Sequence, residues 1–174
     1  MAYKTMKNVR LKIVSGGQTG VDRAALSVAV AHAIPYGGWI PEGRSAEDGI
    51  VPLEFAMMKE LPNGGYRART RKNVEDSDAT LIVAGSLPLT GGTLLTEETA
   101  AKIGRPCLVV TIDDGETVPK IRDWLKGLVA SLEGATFTLN VAGPRESGCP
   151  GIYEKAKKLL GAIILSFQES DGLL

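Results

Sequence analysis

The chain has 174 residues, 44% of them hydrophobic and 23% charged, which is the composition of a globular domain able to bury a sizeable core. Lys plus Arg equals Asp plus Glu at 20 each, so no global charge points to nucleic acid or a membrane, and any preference for an anion must be local. One histidine excludes His-based metal clusters and most His-dependent triads; two cysteines without metal-type spacing and an N-terminus without an apolar h-region point to a reducing cytoplasm.

The apolar run Arg10–Val14 predicts a first strand, and it feeds directly into S-G-G-Q-T-G-V-D, residues 15–22. Glycines at 16, 17 and 20 cost backbone entropy, and a chain keeps them where φ is positive or another group approaches closely. Residues 20–33 are apolar all round, as in a helix packed on a sheet. A weaker strand is expected at 34–38, followed by an irregular excursion over one edge at 39–65, where Pro41, Pro52 and Pro62 fall. A polar helix follows at 67–77, anchored by Val74, and then a strongly apolar strand at Ala79–Ala84. A helix at 93–103 stops at Gly104-Arg105-Pro106. Residues 107–112 read as a strand and 118–132 as a helix with Ile121, Leu125, Leu128 and Leu132 in register. Residues 136–141 read as the fifth strand. The last helix, 151–168, carries an apolar stripe of Ile152, Ala156, Leu159, Leu160, Ile163 and Ile164.

Near-continuous apolar strands alternating with helices predict an α/β fold: one doubly wound, mainly parallel five-stranded domain over residues 1–174. The expected strand order is 2-1-3-4-5, with the reversal between the first strand and Ala79–Ala84. Ligands in such folds bind beyond the carboxyl ends of the strands at that reversal.

Three loops leave those ends: residues 15–22, the G-S-L-P-L-T-G-G-T loop at 85–93, and A-G-P-R-E-S-G-C-P at 142–150. A helix N-terminus presents unpaired N–H groups and a partial positive charge, so two glycine-opened termini side by side would cradle a phosphate. Gly16, Gly17, Gln18, Thr19, Gly20 and Asp22 form one half of that cradle, and Gly91, Gly92 and Thr93 the other. Thr19 and Asp22 equally fit a structural capping box. No lysine follows the first glycines, which excludes a P-loop, and no acidic residue ends the second strand to hold a ribose, which disfavours an NAD site. Arg69 and Arg44 are candidate side-chain clamps for the anion, although either also fits a solvated or structural role. Arg145 either pairs with Glu146 or faces the crevice. Cys149 lies in a crevice loop, and Tyr36 and Trp39 flank a G-G turn where either could stack on a ring or cover the sheet edge. No metal site is expected.

The stretches S-G-G-Q-T-G-V-D-R-A-A-L, G-G-W-I-P-E-G-R-S-A-E-D-G, R-T-R-K-N-V-E-D-S-D-A-T-L-I, T-G-G-T and L-N-V-A-G-P-R-E-S resemble the molybdenum cofactor carrier family, from about residue 12 to 153. The resemblance implies a Rossmann-like fold, a homo-oligomer, and binding of the molybdenum cofactor (molybdopterin) as carried ligand, a pterin with a phosphate and a dithiolene-held molybdenum. A wider resemblance is to the lysine-decarboxylase-like, or LOG, nucleotide phosphoribohydrolases, which carry P-G-G-x-G-T-x-x-E and an arginine on the preceding helix. Arg69 matches that arginine and Gly92-Thr93 match the G-T pair, but the third residue after Thr93 is Thr96, with Glu97 and Glu98 following. A helix turns about 100° per residue, so the shift aims those carboxylates elsewhere. The leading expectation is therefore a carrier of a small phosphate-bearing ligand. The alternative is an enzyme cleaving nucleoside monophosphates with Arg69 and Glu97 or Glu98.

Overall fold

Five parallel strands form the central sheet of the computed structural model, which describes residues 9–170, with side chains through residue 167. Residues 1–8 and 171–174 of the expected 1–174 domain lie outside the described residues. In chain order the elements are β1 (Arg10–Val14), α1 (Val21–Ala31), β2 (Tyr36–Gly37), β3 (Trp39–Pro41), β4 (Ser45–Ala46), β5 (Gly49–Ile50) and β6 (Lys59–Leu61). They continue with α2 (Tyr66–Glu75), β7 (Ala79–Ala84), α3 (Gly91–Ile103), β8 (Cys107–Thr111), α4 (Thr117–Val129), β9 (Thr136–Ala142) and α5 (Ile152–Ser170). The fold is α/β and Rossmann-like.

The order across the sheet is β2-β1-β9-β7-β8, which corrects the expected order 2-1-3-4-5. The last strand enters between the first strand and β7, with Arg10 opposite Thr136 on one side and Ala79 opposite Leu139 on the other. Hydrophobic runs mark where strands are, but they carry no record of which strand is the neighbour. The crossover rule fixes handedness and leaves distance across the sheet open. Here β8 becomes the edge, and its residues are mostly half-buried, whereas β7 is buried throughout.

Handedness also sorts the helices. The connections from β1 to β2 and from β8 to β9 run one way across the sheet, and that from β7 to β8 runs the other. Right-handed crossovers then put α1 and α4 on one face and α3 on the opposite one. α5 packs with α1 and α4, and α2 packs with α3. The main core lies on the first side, where Val21, Ala25, Leu81, Val83, Leu139 and Ile152 meet. The stripe on α5 is buried at Ile152, Ala156, Leu160, Ile163 and Ile164, with Leu159 only partly covered.

α1 is apolar all round because it is covered twice. Its other side supplies Leu26 to a second, smaller core with Ile40, Ala46, Val51, Phe55 and Met58 from the excursion. That excursion is built on a parallel β3–β6 pair and an antiparallel β4–β5 hairpin, strands too short to show a period in sequence. Arg44 pins it: Nε donates to the Val51 carbonyl at 3.0 Å, and Nη2 donates to those of Pro52 and Phe55 at 2.9 and 3.2 Å. Among the described residues, no helix is long and apolar enough to cross a membrane.

Because Leu26 is fully buried at this junction, Leu26→Ala is expected to cost about 2–5 kcal/mol of stability. Urea unfolding checks this. A loss below about 1 kcal/mol, the range of a surface substitution, would show that the excursion is not packed onto α1.

Candidate ligand-binding site

The loops after β1, β9 and β7 meet beyond the carboxyl ends of three adjacent strands. Those after β1 and β9 turn to one face of the sheet, and the one after β7 turns to the other. They part over a cleft of about 250 Å³ whose walls include Gln18, Asp22, Arg69, Gly91, Gly92, Thr93 and Arg145. This is the reversal at which such sheets take ligands. Since β9 is central, its loop forms the middle wall, through Gly143, Pro144 and Gly148.

The glycines of the first turn are required by protein groups. A Cβ on Gly16 would lie 1.5 Å from Nη1 of Arg69. At Gly20, φ is 79° and a Cβ would lie 2.3 Å from the Pro144 carbonyl, so only glycine lets the β9 loop close on this turn. Gly17 faces Ile40 and Val51 of the smaller core. Gly16, Gly17, Thr19 and Gly20 thus shape the wall from behind, and the groups exposed to the cleft are Gln18 and Asp22.

The helix start departs from the capping-box expectation. Gly20 is the N-cap of α1, with no side-chain cap bond. Thr19 Oγ1 instead donates to Glu47 and accepts the Glu146 N–H at 3.1 Å. Asp22 turns inward, where Oδ2 accepts from Nη1 of Arg69 at 3.2 Å and from the Gln18 N–H at 3.4 Å. Burial pushes the Asp22 carboxyl above its ordinary value of 3.8, against the pull of Arg69 and the Gln18 and Gly16 amides.

Gln18 is 6% exposed. Its Oε1 accepts the N–H groups of Thr19 at 3.0 Å and Glu47 at 2.9 Å, which fixes the amide orientation. Nε2 is left buried and without a partner on the cleft wall. Nε of Arg69 is buried and unpartnered as well. Across the cleft, α3 opens at Gly91 after Thr90, which makes no side-chain cap bond. Its first-turn amides therefore have no intrahelical partner. A Cβ on Gly91 or Gly92 would meet nothing within 4 Å, so the approach to them is open.

The remaining candidates separate clearly. Arg145 is at the rim, 51% exposed and 3.8 Å from Oε2 of Glu47. Glu47 ties the rim together: it accepts from Thr19 and from the N–H and Oγ of Ser147. Its desolvation is outweighed by these hydrogen bonds, which hold the carboxyl below its usual range. Arg44 does not line the cleft, because its guanidinium is occupied by the excursion carbonyls. Glu97 and Glu98 do not line it either. Glu97 instead acts on the Cys107 thiol, which burial, and then this charge, push up to about 11. Thr96 takes the cleft-facing place, with its hydroxyl donating to the Gly92 carbonyl at 2.9 Å. Cys149 lines a side pocket of about 120 Å³ that shares Thr90, Thr93, Pro144 and Gly148 with the cleft. Sequence reasoning passed over Thr70 as a wall residue, because nothing in its spacing separates it from an ordinary helix threonine, and noted Thr96 only as the residue standing where a carboxylate was sought. Among the described residues no three His, Cys, Asp or Glu side chains are placed to hold a metal.

Residues 13–164 match the "Circularly permutated YpsA SLOG family". The chain belongs to this family. A permuted SLOG chain accounts for the strand order, since a final strand lying beside the first can be moved to the other end of the sequence without altering the sheet. The chain is also similar to a solved structure, the "Putative molybdenum carrier protein" from Syntrophus aciditrophicus SB, at 40% identity and a TM-score of 0.79. The alignment covers 94% of this chain and 99% of that one. No curated protein matches.

Replacing Arg69 by Met leaves Asp22 buried without its counter-charge, which is expected to cost about 3–5 kcal/mol at neutral pH. Asp22 already holds its proton more tightly folded than unfolded, and removal of Arg69 strengthens that preference. The deficit of Arg69→Met is therefore smallest in acid, where Asp22 is protonated in both proteins, and widens only as pH rises through the parent's folded-state value, which lies above 3.8. Urea midpoints measured from acid to neutral pH test the sign; a deficit that shrinks as pH rises would contradict the pairing.

Proposed function

We propose that this protein binds and carries a small phosphate-bearing ligand in the cleft, with the molybdenum cofactor as the first candidate. The observation that carries the reading is the buried, unpartnered Nε2 of Gln18, a residue that lines the same cleft as the uncapped N-terminus of α3. A buried donor without a partner costs about 1–3 kcal/mol, and a ligand oxygen would recover it. The unpartnered buried side-chain groups of its wall residues, Gln18 Nε2 and Arg69 Nε, are both donors, so they suit phosphate or oxo acceptors. The cofactor fits this set through its phosphate, with Gln18, Arg69, Gly91, Gly92 and Thr93 as the holding groups and Arg145 closing the rim. The side pocket by Cys149 leaves room for the ligand to extend. The similar Syntrophus aciditrophicus protein, named as a molybdenum carrier, supports a carrier. Gly16, Gly17, Thr19, Gly20 and Asp22 serve the ligand indirectly, by holding Gln18 and Arg69 in place, and Arg44 has no part in it.

A cytoplasmic location is part of the same proposal, supported by two free cysteines; so is assembly into a homo-oligomer, supported by the family resemblance. Phosphoribohydrolase action gains no support from the cleft, because Glu97 and Glu98 stand outside it and Thr96 stands within. The charge of Arg69 is largely answered by Asp22, so affinity should rest on N–H dipoles and depend weakly on salt.

Gln18→Glu keeps an oxygen for the Thr19 and Glu47 amides and replaces only the free donor. Titration calorimetry with inorganic phosphate, AMP and molybdopterin should show binding of at least one to the parent chain. The variant should bind it about tenfold or more weakly, the loss of one hydrogen bond to a charged group. Unchanged affinity in Gln18→Glu, or no binding of any of the three, would overturn the reading.

A further inference from the structure

A second cavity of about 260 Å³ lies on the α2 face of the sheet and shares no wall residue with the cleft. Its floor is Lys12 of β1 and Thr138 of β9, which stand opposite each other in the parallel register. A strand flanked on both sides in a parallel sheet normally carries apolar residues. Lys12 is half-buried there and forms no ion pair or hydrogen bond among the described residues. Lys59 of β6 lines the same cavity.

The one carboxylate on its wall is already committed. Asp76 accepts from Nε1 of Trp39 at 2.8 Å and from Nζ of Lys72 at 3.0 Å. These bonds also make the indole a fixed wall, since the Asn73 amide binds both the N–H of Trp39 at 2.7 Å and its carbonyl at 2.9 Å. The cavity therefore combines the Lys12 ammonium, which has no committed anion, with the charge of Lys59, which is already felt by Asp76, and one immobilised aromatic ring.

We propose that this cavity is a separate binding site for a small planar aromatic carboxylate. The ring would lie against Trp39 and the carboxylate would be held by Lys12, with Lys59 adding charge. The volume falls just under the usual range for small-molecule pockets, about 300–1,000 Å³, so a single-ring carboxylate is the ligand class proposed. An ordinary snorkelling lysine would send its ammonium into bulk water along an apolar surface. Lys12 instead lines a recess that it shares with Lys59, Asn73 and Trp39, and Trp39 gives that recess a preference for rings.

The probe is nicotinate, titrated into the Trp124→Phe protein so that Trp39 is the only indole of the two in the chain left to report. Saturable quenching of Trp39 fluorescence is expected. Lys12→Met should weaken it about tenfold or more, the effect of losing a charge-assisted hydrogen bond. Lys12→Arg should restore most of the affinity, and phosphate or AMP binding at the cleft should be unchanged in both. Circular dichroism confirms that each variant is folded. Quenching that stays linear in nicotinate, or saturates equally in Lys12→Met, would overturn the proposal, whatever the cleft binds.

Discussion

The ion pair between Asp22 and Arg69 is the contact on which the site depends. It joins the first turn of α1 to α2 across the top of the sheet, in the space where a side chain on residue 16 would otherwise stand. The pairing orients Arg69 along the cleft wall, and the same carboxylate oxygen accepts the backbone N–H of Gln18. A buried pair of this kind contributes little net stability, because desolvation offsets attraction. Its value is positional, and it comes with a neutral floor. Under the proposed function, an anion entering the cleft would meet N–H groups and a helix dipole with little net charge behind them.

The rim follows a related logic. Glu47, from the excursion, is held by Thr19 on one loop and Ser147 on another. It therefore links the irregular segment to both walls on its side of the cleft. The excursion is held by its own small core and by Arg44. The segment that looks least regular in sequence is what fixes the rim.

Much of this is legible in the amino-acid sequence. Apolar runs located the strands, and the glycine-rich loops at their ends located the cleft. The register that puts Thr96 ahead of Glu97 and Glu98 was readable in the sequence, and of the three Thr96 is the one that lines the cleft. Other features were not legible, for physical reasons. The central place of β9 depends on long-range pairing that no local pattern encodes. Arg44 and Arg69 look alike in sequence, each an arginine among polar neighbours. They part only in three dimensions, where one meets excursion carbonyls and the other a buried aspartate. The glycines of the first turn asked for a close approach and could not say by what. Arg69 and Pro144 supply the answer at Gly16 and Gly20.

The most direct test of the account is native mass spectrometry of the protein purified from its own host, compared with Gly92→Val. Gly92 has open space above it, so valine there should fold normally while covering the start of α3. The account predicts a phosphate-bearing ligand on the parent chain and its loss from the variant. A parent chain that carries no ligand, or a ligand retained in full by Gly92→Val, would contradict it.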